Sequence, residues 1–181
     1  MVDAAIHWRP VPTPNFKLAA QVGRVPSMRI PLDASQELRY QRLMEDLVLI
    51  DVHQHPMVLA DNATEMPAYF RGNAYEWGFE AVRAGGWTTV ATANLLSCLG
   101  KEPDASFSHF DDLVDEVGMM LADVHKQSAS VLKITRTQDI LDAQRSRKIG
   151  FLPTLEHLSI GNDLHRVDVL YGIGVRLAGL T

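Results

Sequence analysis

Cysteine is nearly absent. Cys98 is the only one in 181 residues, so no disulfide can form within the chain, and a reducing, cytoplasmic setting is expected. A small buried thiol is the expected role for Cys98, not a nucleophile. Long apolar runs are absent too. None approaches the roughly 20 residues that span a bilayer, and the first residues lack the charged-then-apolar layout of a signal peptide. No membrane span is expected. A basic surplus is also missing: 17 Lys and Arg stand against 22 Asp and Glu, for a net charge of −5. The densest basic group, Arg145-Ser146-Arg147-Lys148, falls near the end of a predicted helix, where cations suit the helix dipole. It reads as a solvated face, and no nucleic-acid partner is expected. There are no repeats and no low-complexity tracts.

What is present is enough apolar material, 46% of residues, for one substantial core. Prolines 10, 12, 14, 26 and 31 crowd residues 1 to about 34 and forbid a regular helix or central strand there. That segment reads as an arm over the body or a contact to another subunit. A helix is predicted from Ala34 to Leu47, with Ser35 as N-cap and Leu38, Leu43 and Leu47 as a partial stripe.

The chain is organised around Val48 to Pro56. Its short, β-branched apolar part predicts a buried strand, ending in His53 and His55. Side chains two apart share a strand face, with Cα atoms roughly 6–7 Å apart. Both imidazoles can therefore reach one metal ion at the carboxyl end of the strand. A loop-rich stretch follows from Met57 to about Gly72, in which Tyr69, Phe70, Tyr75 and Trp77 read as packing. A helix over Glu76–Ala84, closed by Gly85-Gly86, leads to a second strand over Trp87–Ala93. After a loop around Gly100 to Ser106, a helix is predicted from Ser108, capped with Asp111. Phe110, Leu113, Val114, Val117, Leu121 and Val124 form its inner stripe, while His109 and His125 read as surface groups.

Val131–Thr135 predicts a short strand, and Thr137 the cap of a helix through Arg147. Ile149–Glu156 predicts a third buried strand, although Pro153 removes a ladder donor. Asp163 is placed to cap a helix with Leu164, Val167, Leu170 and Tyr171 inward. Gly172 and Gly174 end it, and Val175–Leu180 predicts a fourth strand. The recurring strand, loop and helix imply parallel strands. All strand ends then lie on one rim, where Glu156 can meet His53 and His55. Two imidazoles and a carboxylate suit zinc. The bland alternative is that Glu156 pairs with a cation or caps the next helix.

The segments Ile50–His55, Leu155–Leu164 and Leu170–Thr181 resemble the membrane (renal-type) dipeptidases of the amidohydrolase superfamily. The likeness runs from about Leu47 to the end. It implies an α/β fold, the first half, about four strands, of a (β/α)8 TIM-type barrel. With the Pro-rich arm and helix read over 1–47, it implies a partial barrel over 48–181. By position, His53 and His55 match metal ligands on the first barrel strand, and Glu156 matches the glutamate that bridges two zinc ions. The implied reaction is hydrolysis of a dipeptide or a related small peptide-like substrate.

Three departures qualify the likeness. The family commonly has His-x-Asp where this chain has His55, and glycine where it has His157, which reads as a group behind the ligands or at the surface. The family's remaining ligands, two histidines and a late aspartate, come from strands beyond the fourth. The catalytic acid/base aspartate is thus expected beyond Thr181, and an isolated half-barrel is expected to pair with itself or with a C-terminal half. His-x-His leaves open a lactonase or amidase, and the half-barrel leaves open a non-catalytic assembly module.

Overall fold

A computed structural model describes residues 15–26, 28, 30–71, 76–93 and 109–180. The prolines at 10, 12 and 14, Tyr75, Cys98, the loop expected around Gly100 to Ser106, and Ser108 lie outside the described residues.

Among the described residues five strands pair in parallel throughout. They are β1 (Ile50–Gln54), β2 (Thr89–Thr92), β3 (Val131–Lys133), β4 (Ile149–Leu155) and β5 (Leu177–Ala178). The spatial order is β1-β2-β4-β3, with β5 paired to β4. The short β3 lies against Ile149–Phe151 and β5 against Thr154 and Leu155, so β4 is the strand around which the sheet is built. With all strands parallel, their carboxyl ends share one rim. This is the expected α/β architecture, a parallel sheet with helices that matches part of a TIM-type barrel.

The helices are α1 (Ala34–Asp46), α2 (Met66–Arg71), α3 (Phe79–Ala84), α4 (Phe110–Lys126), α5 (Thr137–Arg145) and α6 (His165–Ile173), with a 3-10 turn at Ala63–Glu65. None of the described helices is long and apolar enough to cross a membrane.

The main core surrounds Phe151, which is fully buried. Trp77 and Phe79 meet its ring edge-on, with centroids 5.9 and 6.2 Å away, a favoured aromatic geometry. Val90, Met120, Val124, Val131 and Ile149 belong to the same cluster, and Leu113, Val117, Leu155, Leu170 and Val175 form a second. α4 keeps the predicted period: Leu113, Val117 and Val124 are buried, together with Met120 and Glu116. Tyr69 and Trp77 are buried as packing.

Several expectations are corrected. β1 is no buried strand: Ile50 is 40% and Val52 72% exposed. The described residues pair it on one flank only, with β2. α1 buries none of its residues, and Leu38, Leu43 and Leu47 are all exposed. Its cap is Asp33, whose carboxylate accepts from the Ser35 and Gln36 amides, not Ser35 itself. On α6 only Leu170 of the predicted face is buried; Leu164, Val167 and Tyr171 are exposed.

The stretch after Met57 is less irregular than expected. Asn62 accepts from the Thr64 amide and starts the turn that runs into α2. α3 begins at Phe79, not Glu76, because Met57 and Trp77 form a bridge and the Val58 amide donates to Glu76 O. α4 starts at Phe110, with the Asp112 carboxylate accepting from the His109 amide. α5 is capped from within. Burial raises the pKa of Asp139, but the hydrogen bonds it accepts from Thr135 and Arg136 outweigh this and hold it at about 2.

Candidate metal centre

β1 arrives at the rim with an irregularity. From Asp51 to Gln54 it advances three residues while β2 advances two, from Val90 to Thr92. The extra residue is a β-bulge, which bends a strand and re-aims its side chains. The bulge occupies the Val52-His53 segment. The strand then ends at Gln54, and His55 follows it directly. The Ala93 amide donates to Gln54 O at 3.1 Å, tying this end to β2, and the Gly78 amide donates to Pro56 O.

β4 delivers the third side chain from the interior. Its last residue, Leu155, is buried, and Glu156 follows at the rim. Pro153 sits inside β4 despite lacking a donor. Its carbonyl is used, accepting from the Arg176 amide at 3.1 Å.

The three predicted residues converge. Glu156 Oε2 lies 3.1 Å from His55 Nε2 and 3.7 Å from His53 Nε2. The two imidazoles meet edge-on, centroids 5.1 Å apart, and one ligand atom from each residue lies within 4.8 Å of the others. Around tetrahedral zinc, with bonds of roughly 2.1 Å, neighbouring ligand atoms stand about 3.4 Å apart. The two contacts to Glu156 bracket that distance. His157 is half-buried and outside this cluster. His109 and His125 are exposed, as expected.

His55 carries the most information. Its Nδ1 is 3.2 Å from Ala93 O at the end of β2. A carbonyl can only accept, so Nδ1 carries the proton and donates. In the neutral ring Nε2 then presents a lone pair. That lone pair faces a carboxylate oxygen, which also only accepts when ionised. Two acceptors at 3.1 Å repel unless a proton or a cation sits between them. Histidines that bind metals are typically held this way, with the distal N–H on a carbonyl or carboxylate. The donor set and its orientation therefore fit a divalent metal ion.

Two contributors escaped the sequence reading. Asp51 accepts from the His53 amide at 3.1 Å and from Gln54 Nε2 at 3.2 Å. Its spacing, two residues before His53, was the available signal. Gly179 donates its amide to Leu155 O, and a Cβ there would stand 2.5 Å from Glu156 O. Only a glycine lets β5 approach the Glu156 backbone so closely.

With this geometry in view, the comparisons with known proteins are informative. The model of the family described as membrane dipeptidase (peptidase family M19) matches residues 37–181. No curated protein matches. Among solved structures, an amidohydrolase from Pseudomonas aeruginosa superimposes with a TM-score of 0.54 at 21% identity, over 76% of this chain and 35% of that one. The probable dipeptidase PvdM from the same organism superimposes with a TM-score of 0.59 at 13% identity, over 83% of this chain and 38% of that one. The chain thus spans little more than a third of the length of these structures, and at such identities the likeness is one of fold.

Proposed function

Because the chain belongs to the membrane dipeptidase family (peptidase family M19), we propose that it carries part of a metal-dependent hydrolase site. His53, His55 and Glu156 would hold one or two zinc ions, and the substrate would be a dipeptide or similar small amide. When bound, zinc polarises a carbonyl oxygen and lowers the pKa of water towards neutrality. The chain's own residues prepare for this. Ala93 O holds the His55 tautomer and ring plane, so Nε2 needs little reorganisation to bind. The Glu156 carboxylate has two oxygens at the rim and can bridge two ions. The single observation that carries the reading is the placement of His55, with Nδ1 3.2 Å from the Ala93 carbonyl and Nε2 3.1 Å from a Glu156 oxygen.

Zinc stoichiometry tests it. The wild-type chain is expected to bind zinc, and His55→Ala or Glu156→Ala to weaken binding at least about 100-fold, the upper end of what loss of a supporting partner costs. Unchanged stoichiometry in both variants would discard it. The second reading, a lactonase or other amidase, is favoured by one observation, the His-x-His form of the first motif. A substrate panel on the whole protein with ester turnover and no dipeptide turnover would select it. A third reading, an assembly module without catalysis, draws on the exposed apolar residues of β1 and α6. Self-association of the chain without zinc binding would select that one.

A further inference from the structure

The two histidines are oriented by different means. His55 is held through its ring, by Ala93 O. The His53 ring is 53% exposed and, among the described residues, makes only the edge contact with His55 and the 3.7 Å approach to Glu156. Its direction must therefore come from its backbone, and that backbone lies in the bulge of β1. A bulge leaves a strand amide without its ladder partner. Here the His53 amide donates to Asp51 Oδ1 at 3.1 Å instead, a side chain closing a local turn on its own backbone two residues on. The other Asp51 oxygen, Oδ2, accepts from Gln54 Nε2 at 3.2 Å, so the carboxylate spans the bulge from both sides. Gln54 Oε1 is buried with no partner among the described residues. The orientation of Gln54 is thus set by its bond to Asp51.

The geometry points to Asp51 as a positioning residue: it clamps the β1 bulge and so presents His53 to the cation that the three-residue cluster would hold. Asp51 acts through His53 and is not itself a ligand. The inference rests on the metal reading above. It predicts that the clamp, rather than the histidine's chemical identity alone, sets the affinity of the site.

The test uses the full 181-residue chain with Asp51→Ala, Asp51→Asn and Gln54→Leu. Zinc affinity is measured by titration, with amide hydrogen exchange at His53 as a readout that needs no metal. D51A is expected to bind zinc about 10–100-fold more weakly, the usual cost of losing a ligand's supporting partner, with faster exchange at the His53 amide and unchanged exchange in β4. D51N keeps an oxygen that accepts the same N–H, and is expected to retain most of both properties. Q54L removes the brace on Asp51 and is expected to fall between. This variant decides the matter if D51A does not fold. Wild-type zinc affinity in D51A, or in Q54L where D51A is unfolded, would overturn the inference, and so would unaltered exchange at His53. Absence of zinc binding in the wild type would instead bring down the metal reading itself, and the clamp's purpose with it.

Discussion

β4 and β1 both deliver side chains to the same rim, yet they are opposite kinds of strand. β4 is buried along almost its whole length and pairs with β2, β3 and β5. β1 pairs with β2 alone, carries a bulge, and leaves Ile50 and Val52 exposed. The strand that leads to Glu156 is thus held by packing, while His53 and His55 are held by hydrogen bonds, through Asp51 and Ala93 O. A site across two such strands has one rigid wall and one that polar contacts must hold in place.

The contrast can be broken by substitution. The largest effect is expected at Phe151, fully buried in β4 against Trp77 and Phe79. Phe151→Ala should cost about 3–5 kcal/mol, read from denaturant unfolding. A cost near zero would mean that β4 is no more supported than β1. Next is Gly179→Ala, whose Cβ would press on Glu156 O. Overpacking of this kind costs about 1–3 kcal/mol, and zinc affinity should fall with it, because the carboxylate's backbone must shift. Wild-type zinc binding in that variant would show that the Glu156 wall is less rigid than its packing suggests.

Val52→Ala marks the other side. At 72% exposure it should change stability by no more than about 0.5 kcal/mol. A much larger loss would mean that β1 is covered in solution. The smallest effect is a pH dependence at α5. Asp139 has its pKa lowered from 3.8 to about 2. Its contribution is therefore fully present above pH 3.8 and is lost as pH falls through about 2. Acid titration followed by helical circular dichroism should show a loosening step near pH 2 in the wild type that is missing in Asp139→Asn.

Much of the site was legible because strand ends are legible. Apolar β-branched runs stop where His53, His55 and Glu156 begin, and parallel pairing brings such stops to one edge. The α4 stripe was legible for the same kind of reason, a period repeated over several turns. Caps were less so. Asp33 and Asp139 took the roles assigned to Ser35 and Thr137, because several polar residues in a row can each serve and local geometry selects one. The exposed faces of α1, β1 and α6 were not legible at all. An apolar stripe records that a residue suits burial, not that a neighbour is there to bury it.

By itself, the order of residues determined the parallel α/β plan and the strand-end placement of the metal-suited side chains. Each follows from local period or chain connectivity. Tertiary structure decided which apolar faces are covered, where β1 bulges, and which nitrogen of His55 carries the proton. These depend on partners distant in sequence: the carbonyl that orients His55 belongs to a residue 38 positions away, and only folding brings the two together.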